Sequence, residues 1–376
     1  MTGHGDEVAL REVLAGWLVA REGCTPVEAV AMHGEAAIVS ACEREGVLSL
    51  IHARLSDPDF PHPVPQGLRQ ALEALARLLA ARSLVCAFET RRIQHALTEA
   101  NIDGIWLKGI ALGRWLYPRV HVRDIADIDL LLQDHATTKR AAAVLAPLGY
   151  ALPNPHIAGD LVVHELLAWS ERTRLELDLH WDLSNDALFA GRLGWAELHA
   201  QAQLLSGLGE GAVGLSPVHA LLHACTHRAL NQLTGRENRL RWLYDIHLLW
   251  ESLSDADKTR AVTLAAERQL ADACLQALGA STALFGTRVE SRHSSDLLAA
   301  ASREPLRTGR LWNWTYFQWS TLRVLGGARK LRWLRQRLLP DLAHLRVRYG
   351  QDGRALPVLL WRRLMDSVSR WKSYHA

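Results

Sequence analysis

Two short segments of this chain carry acidic side chains where a buried strand ordinarily carries apolar ones. The first is Arg123-Asp124-Ile125-Ala126-Asp127-Ile128-Asp129-Leu130-Leu131-Leu132; the second is Leu175-Glu176-Leu177-Asp178-Leu179-His180-Trp181. Side chains alternate across a strand, so the spacing predicts Asp127 and Asp129 on one face, and likewise Glu176, Asp178 and His180. Carboxylates crowded on neighbouring strands repel one another and resist desolvation unless a cation sits between them. Hard divalent cations with oxygen ligands, Mg²⁺ above all, meet that need, and Mg²⁺ usually means phosphates. The bland alternative is an edge strand with solvated acids on its outer face; the second acidic strand counts against it.

Around these acids lie groups suited to phosphate. Leu107-Lys108-Gly109 ends a short apolar run. A glycine at a strand-to-helix junction lets the backbone approach a ligand, and the first N–H groups of the helix can hold an anion. Lys108 would add a positive charge for a triphosphate, although a strand ending in Lys-Gly is by itself a weak signal. Arg123 has two readings, a phosphate contact or a pair with a neighbouring acid. Glu176 shares the expected face of Asp178 and is the alternative ligand to it. His180 points the same way, to bind phosphate, to orient a carboxylate or to close the sheet.

Further on, His219, His223 and His227 recur at spacing four and so lie along one helix face. No His-Glu-x-x-His motif accompanies them, so packing against the acidic unit is expected in preference to zinc, with His227 a candidate to reach substrate. Arg239, Arg241 and Asp245 flank the apolar run from Trp242 to Trp250, where an intrahelical ion pair is expected in preference to contact with a base or ribose.

The elements that must position these residues are legible from periodicity. Residues from about 6 to 56 read as helices, and the proline-rich connector 57–65 stops them. Residues 66–100 form a strongly helical stretch. Then strand and helix alternate: a strand at 105–107, a helix over 110–117, a strand over 125–132 and a helix over 135–148. Two further strands, 160–169 and 174–181, make a hairpin around Ser170-Glu171-Arg172-Thr173. Ser216 with Pro217 opens a helix as N-cap and first residue, and the remainder is mostly helical.

The whole-chain numbers are those of an ordinary globular protein. In 376 residues, hydrophobic types make up 49% and charged types 22%, with net charge +3, so overall charge names no polyanionic partner. The first residues lack the layout of a secretory signal, and no apolar run reaches the roughly 20 residues of a membrane span, so a cytoplasmic location is expected. The five cysteines show no CxxC spacing, which points to reduced, structural thiols. Many of the 14 tryptophans fall late, among them Trp312, Trp314, Trp319 and Trp333. Around them Arg303, Arg307, Arg310, Arg323, Arg329, Lys330, Arg332, Arg335, Arg337, Arg346 and Arg348 outnumber the acids Glu304 and Asp341. That basic region reads as a solvated face or as a surface for a nucleic acid, a membrane or an acidic peptide.

Taken together, Lys108-Gly109, Leu112, Tyr117-Pro118, Arg123, Asp127-Ile128-Asp129-Leu130-Leu131 and Asp178-Leu179-His180-Trp181 resemble an uncharacterised bacterial nucleotidyltransferase family related to the DNA polymerase β superfamily. Gly46-Val47-Leu48 upstream, and Leu221-Leu222-His223, His227 and Arg241-Trp242-Leu243-Tyr244-Asp245-Ile246 downstream, extend the likeness over most of the chain. The resemblance implies an α+β fold, a polymerase-β-like minimal sheet flanked by helices. Its organisation would be a helical region over 1–100, a catalytic core over 101–185 and a helical region over 186–376. It implies two Mg²⁺ ions, or Mn²⁺, with Asp127 and Asp129 as paired ligands and Asp178 as the third, which helps activate an acceptor hydroxyl. Lys108, Gly109, Arg123 and His180 would serve the nucleotide phosphates; the superfamily's Gly-Gly or Gly-Ser turn is here Lys108-Gly109, which leaves the triphosphate pose open. The donor would be an NTP such as ATP. The acceptor would be a hydroxyl or phosphate on a peptide, protein or small molecule, as in natural-product pathways, rather than a nucleic-acid primer. Transfer of a glycosyl or other group from an activated donor, and non-catalytic nucleotide binding, are the competing readings.

Overall fold

A computed structural model describes residues 4–233, 238–305, 314–350 and 355–373; Arg307, Arg310 and Trp312, and the side chain of Trp314, lie outside the description. Four helices, α1 (His4–Leu18), α2 (Pro26–His33), α3 (Glu35–Glu45) and α4 (Leu48–Leu55), precede the proline-rich connector. A capping box starts α2: Thr25 accepts from the Glu28 backbone while the Glu28 carboxylate accepts from that of Thr25. After the connector α5 (Gln66–Glu99) runs without a break. Its buried residues, among them Leu68, Leu72, Ala76, Ile93 and Leu97, recur at helical spacings.

The chain then builds a sheet. In order come β1 (Gly104–Trp106), α6 (Lys108–Trp115), β2 (Ile128–Leu132), α7 (His135–Leu145), β3 (Tyr150–Ala151), β4 (Glu165–Ser170) and β5 (Leu175–His180). After α8 (Trp195–Ala200), two short strands, β6 (Gln203–Leu204) and β7 (Val213–Gly214), complete it. The strand order is β3-β4-β5-β2-β1-β7-β6. The β5–β2 and β1–β7 pairings are parallel and the others antiparallel. The architecture is mixed α+β, with helices before and after the sheet.

Alternation decides what each face of the sheet buries. Ile128, Leu130 and Leu132 join Leu166, Ala168, Leu175, Leu177 and Leu179 in one apolar cluster with Cys86, Ile93 and Leu97 of α5 and Ala141 and Leu145 of α7. That sealed face forces the intervening positions to the other side. There Ile105, Leu107 and Leu131 join the larger cluster made with the later helices. Those helices are α9 (Pro217–Leu233), α10 (Leu240–Ser252), α11 (Asp255–Glu267), α12 (Ala271–Phe285) and α13 (Ser291–Ala301). Ser216 caps α9, its Oγ 3.4 Å from the His219 backbone nitrogen. Four more, α14 (Trp314–Val324), α15 (Gly327–Leu338), α16 (Leu342–Tyr349) and α17 (Leu356–Ser373), follow.

Two local expectations are corrected. The second strand begins at Ile128 rather than 125, because residues 120–122 coil as a 3-10 turn and the chain straightens only afterwards. Asp127 therefore sits in the turn before β2 rather than within it. The helix after β1 begins at Lys108, so Gly109 lies inside its first turn and Lys108 itself takes the left-handed φ of 48°.

Candidate metal and phosphate site

Parallel pairing puts Asp129 of β2 directly beside Asp178 of β5, with Leu131 beside His180 one step on. On the other side of β5, antiparallel pairing sets Glu165 of β4 opposite His180. Asp129, Asp178 and His180 are all buried. One donor atom from each lies within 4.8 Å of the others, and among the described residues this is the group with the proximity needed to hold a metal ion.

Asp129 is the electrostatic hub. Its Oδ1 accepts from the Lys108 ammonium and lies 3.0 Å from His180 Nε2. Burial by itself would raise its pKa, but the charge of Lys108 and the His180 hydrogen bond win, so the carboxylate stays ionised far below its ordinary range. The partners respond in kind. Burial would lower Lys108, yet Asp129 and Asp127 hold it above its usual value. His180 is raised for a parallel reason, burial being outweighed by the Asp129 hydrogen bond. Its Nδ1 lies 3.5 Å from Glu165 Oε2, near that acid but without a hydrogen bond to it.

Asp178 is in the opposite condition. Its Oδ1 is buried with no hydrogen-bond partner. Burial first, and then the Asp129 charge, push its carboxyl up to about 8. A buried acid oxygen without a donor beside a second, ionised acid is what a divalent cation would resolve, so the residues present fit such an ion. Glu176 precedes Asp178 by two residues, on the same face, and is also raised, by burial and by Asp127.

Glu165, Glu176, Asp178 and His180 line a cleft of ≈ 1060 Å³ between the sheet and the later helices, with Asp129 buried behind them. Asp127 is at its wall, half-buried, and outside the cluster of mutually close donors. Lys108 and Gly109 also line it, and the Lys108 side chain keeps 23% exposure, enough for its ammonium to meet a ligand. Across from the acids α9 contributes His223 and His227, and α10 contributes Arg241 and Trp242.

Arg123 lines the cleft, but its guanidinium is taken. Nε and Nη2 reach the two oxygens of Asp245 at 2.8 and 2.6 Å, and Nη1 donates to the Asp124 carbonyl at 2.7 Å. Tyr117 Oη donates to the same Asp245 at 2.5 Å. Of its two sequence readings, the pair with an acid is the one formed, and the acid lies on α10, 122 residues away. This replaces the intrahelical pair expected for Asp245 and ties the turn before β2 to the helical layer. A buried bidentate pair of this kind gives geometry more than stability.

The three histidines of α9 separate in function of place. His219 turns to Ser216 and Glu197, 2.9 and 3.5 Å away. His223 and His227 face the cleft and make no three-donor metal group with each other among the described residues. Burial, and then the charge of Lys108, lower His223 to about 3, and the same two causes lower His227. Both are neutral, and His223 Nε2 is buried without a hydrogen-bond partner.

Among the cleft residues that the sequence did not single out for the site are three charged ones. Glu165 opens a strand in the alternation of a half-polar face, a signal present but faint. Asp186 and Arg337 line the cleft from a loop and from α15, and no local pattern marks them.

The family described as an uncharacterised nucleotidyltransferase matches residues 34–286, two-thirds of the chain, spanning the sheet and α3 to α12. No curated protein and no solved structure gives a significant match.

Proposed function

The chain belongs to the uncharacterised nucleotidyltransferase family, and from that premise we propose that it moves a nucleoside monophosphate from an NTP to a hydroxyl or phosphate on a peptide, protein or small molecule. The observation that carries this reading is the side-by-side placement of Asp129 and Asp178, one acid ionised and buried, the other lining a cleft with an oxygen left without a donor. Asp127, at the cleft wall, is assigned as the further ligand; two ions follow from the kinship to polymerase-β-like enzymes that the family's motif suggests. Bound there, Mg²⁺ (or Mn²⁺) would neutralise the triphosphate and make the acceptor hydroxyl more acidic.

The chain's own residues supply the rest. Lys108 would exchange part of its contact with Asp129 for a phosphate oxygen, because its ammonium has three donors and an open side. The acceptor oxygen attacks the α-phosphorus, the bond from that phosphorus to the bridging oxygen breaks, and pyrophosphate leaves. Asp178, protonated while the cleft holds no cation, would be ionised beside a bound one and could then take up the acceptor's proton. His180 would hold Asp129 in place, and Arg123 would fix the turn carrying Asp127 through Asp245. Most of the rate would come from positioning and charge neutralisation.

The direct test incubates the protein with each NTP, Mg²⁺ and candidate acceptors, and reads pyrophosphate release with a mass shift of one nucleotide on the acceptor. Release of a nucleoside diphosphate from a sugar nucleotide instead, with a sugar-sized mass shift, would replace this reading with glycosyl transfer.

A further inference from the structure

The helices after residue 314 present a surface that the cleft does not use. Over residues 314–350 the basic residues are Arg323, Arg329, Lys330, Arg332, Arg335, Arg337, Arg346 and Arg348, against the single acid Asp341. Helix α15 has two apolar sides. Inward, Trp333 is buried in a cluster with Leu161, Ala187 and Leu325. Gln336 is also buried, donating to Asp160 at 2.6 Å and accepting from the Leu161 backbone at 3.0 Å. The chain passes so close here that a Cβ on Gly159 would lie 2.5 Å from the Gln336 side chain. That side is fixed to the fold.

Outward, Leu331, Leu334 and Leu338 follow at spacings of three and four, and so share one face. They are 72%, 36% and 68% exposed. Lys330 and Arg335 flank this stripe, both exposed. Nearby in sequence Leu339 and Leu342 are exposed as well, and Trp361, Leu364 and Met365 repeat the pattern on α17. A soluble face would not leave this many leucines in water.

We infer that α15, with its neighbours, is an interfacial docking surface for an anionic lipid bilayer, lying in the headgroup layer with Leu331, Leu334 and Leu338 inserted. The charge decides the occupant. Aliphatic residues flanked by Lys and Arg match acyl chains below anionic headgroups. A second copy of this chain would bring one arginine-rich face against another, with like charges opposed. A nucleic acid would use the arginines but leave the leucine stripe wet, since single strands are held by aromatic stacking and duplexes by phosphate contacts. No described helix is long and apolar enough to cross a membrane, so the contact would be lateral.

The same helix turns Arg337 into the cleft. A bilayer docked on the outward side would thus lie across α15 from a residue that lines the cleft. This geometry is independent of which group the cleft transfers.

The test is co-sedimentation of the full chain with vesicles of phosphatidylglycerol and phosphatidylcholine, and with phosphatidylcholine alone. Binding is expected to the anionic vesicles, weakened by salt. Leu331→Gln, Leu334→Gln and Leu338→Gln combined should lower it by roughly ten-fold or more, and so should Lys330→Glu with Arg335→Glu. These positions are exposed, so circular dichroism should be unchanged. No binding to anionic vesicles overturns the inference. So does binding indifferent to the leucine changes, or a dimer in sedimentation equilibrium that those changes dissolve.

Discussion

Asp129 and Asp178 occupy the same register position on adjacent parallel strands, yet their carboxyl groups are in opposite protonation conditions. Lys108 and His180 both serve Asp129, and neither hydrogen-bonds Asp178 Oδ1. The pair is thus an asymmetric site, complete on one side and open on the other, and that asymmetry governs how each acid should respond to replacement.

A divalent cation should raise the melting temperature of the wild-type protein. In Asp178→Asn the cation effect should vanish, while the metal-free variant melts higher than wild type because a buried acid facing another acid is gone. Thermal scans with and without Mg²⁺ or Mn²⁺ check both. A wild-type protein indifferent to either ion would remove the metal assignment.

Asp129→Asn should behave differently. It leaves Lys108 and His180 without the negative charge they share, so metal-free stability should fall by about 3–5 kcal/mol, the usual penalty for a broken buried charge pair. Nucleotidyl transfer should drop by roughly a thousand-fold or more. Urea unfolding and pyrophosphate release measure the two effects separately.

Lys108 carries both a charge and a left-handed backbone. Lys108→Ala should lose triphosphate binding while keeping the backbone strain; Lys108→Gly should lose the same binding but be more stable than the alanine variant by about 1 kcal/mol. Equal melting temperatures for the two would argue against strain at this position.

Removing one member of the Arg123–Asp245 pair should cost about 3–5 kcal/mol, since the other charge is left buried. Replacing both, as Arg123→Met with Asp245→Leu, should cost less than either single change. A double-mutant cycle by chemical denaturation gives the coupling; additive losses would mean that the two side chains act independently.

Acid should destabilise the protein through α9. His223 is held neutral down to about 3 in the folded state, whereas an unfolded histidine takes a proton near 6.5. The unfolded chain therefore binds more protons in that window, and stability present above pH 6.5 is lost as pH falls through it toward 3. Each such histidine contributes a slope of about 1.4 kcal/mol per pH unit. His223→Gln should flatten the acid limb by that amount; an unchanged slope between pH 6 and 4 would show that His223 titrates normally.

What the sequence by itself determined is local. Period-two alternation in 128–132 and 175–180 predicts one apolar and one polar face, and the apolar face is sealed by α5 and α7 in the structure. The proline-rich connector, the cap at Ser216 and the capacity of Asp129, Asp178 and His180 to share a face follow from chemistry within a few residues. Tertiary structure decided which partners met. Nothing near Arg123 in sequence points to Asp245 on α10, and nothing near Asp160 points to α15. The parallel register that sets Asp129 against Asp178 rather than Glu176 depends on a crossover through α7 and the β3–β4 hairpin. Alternation fixes a residue's face because sterics act between neighbours. Which acid is ionised is settled by charges and burial contributed by segments distant in the chain.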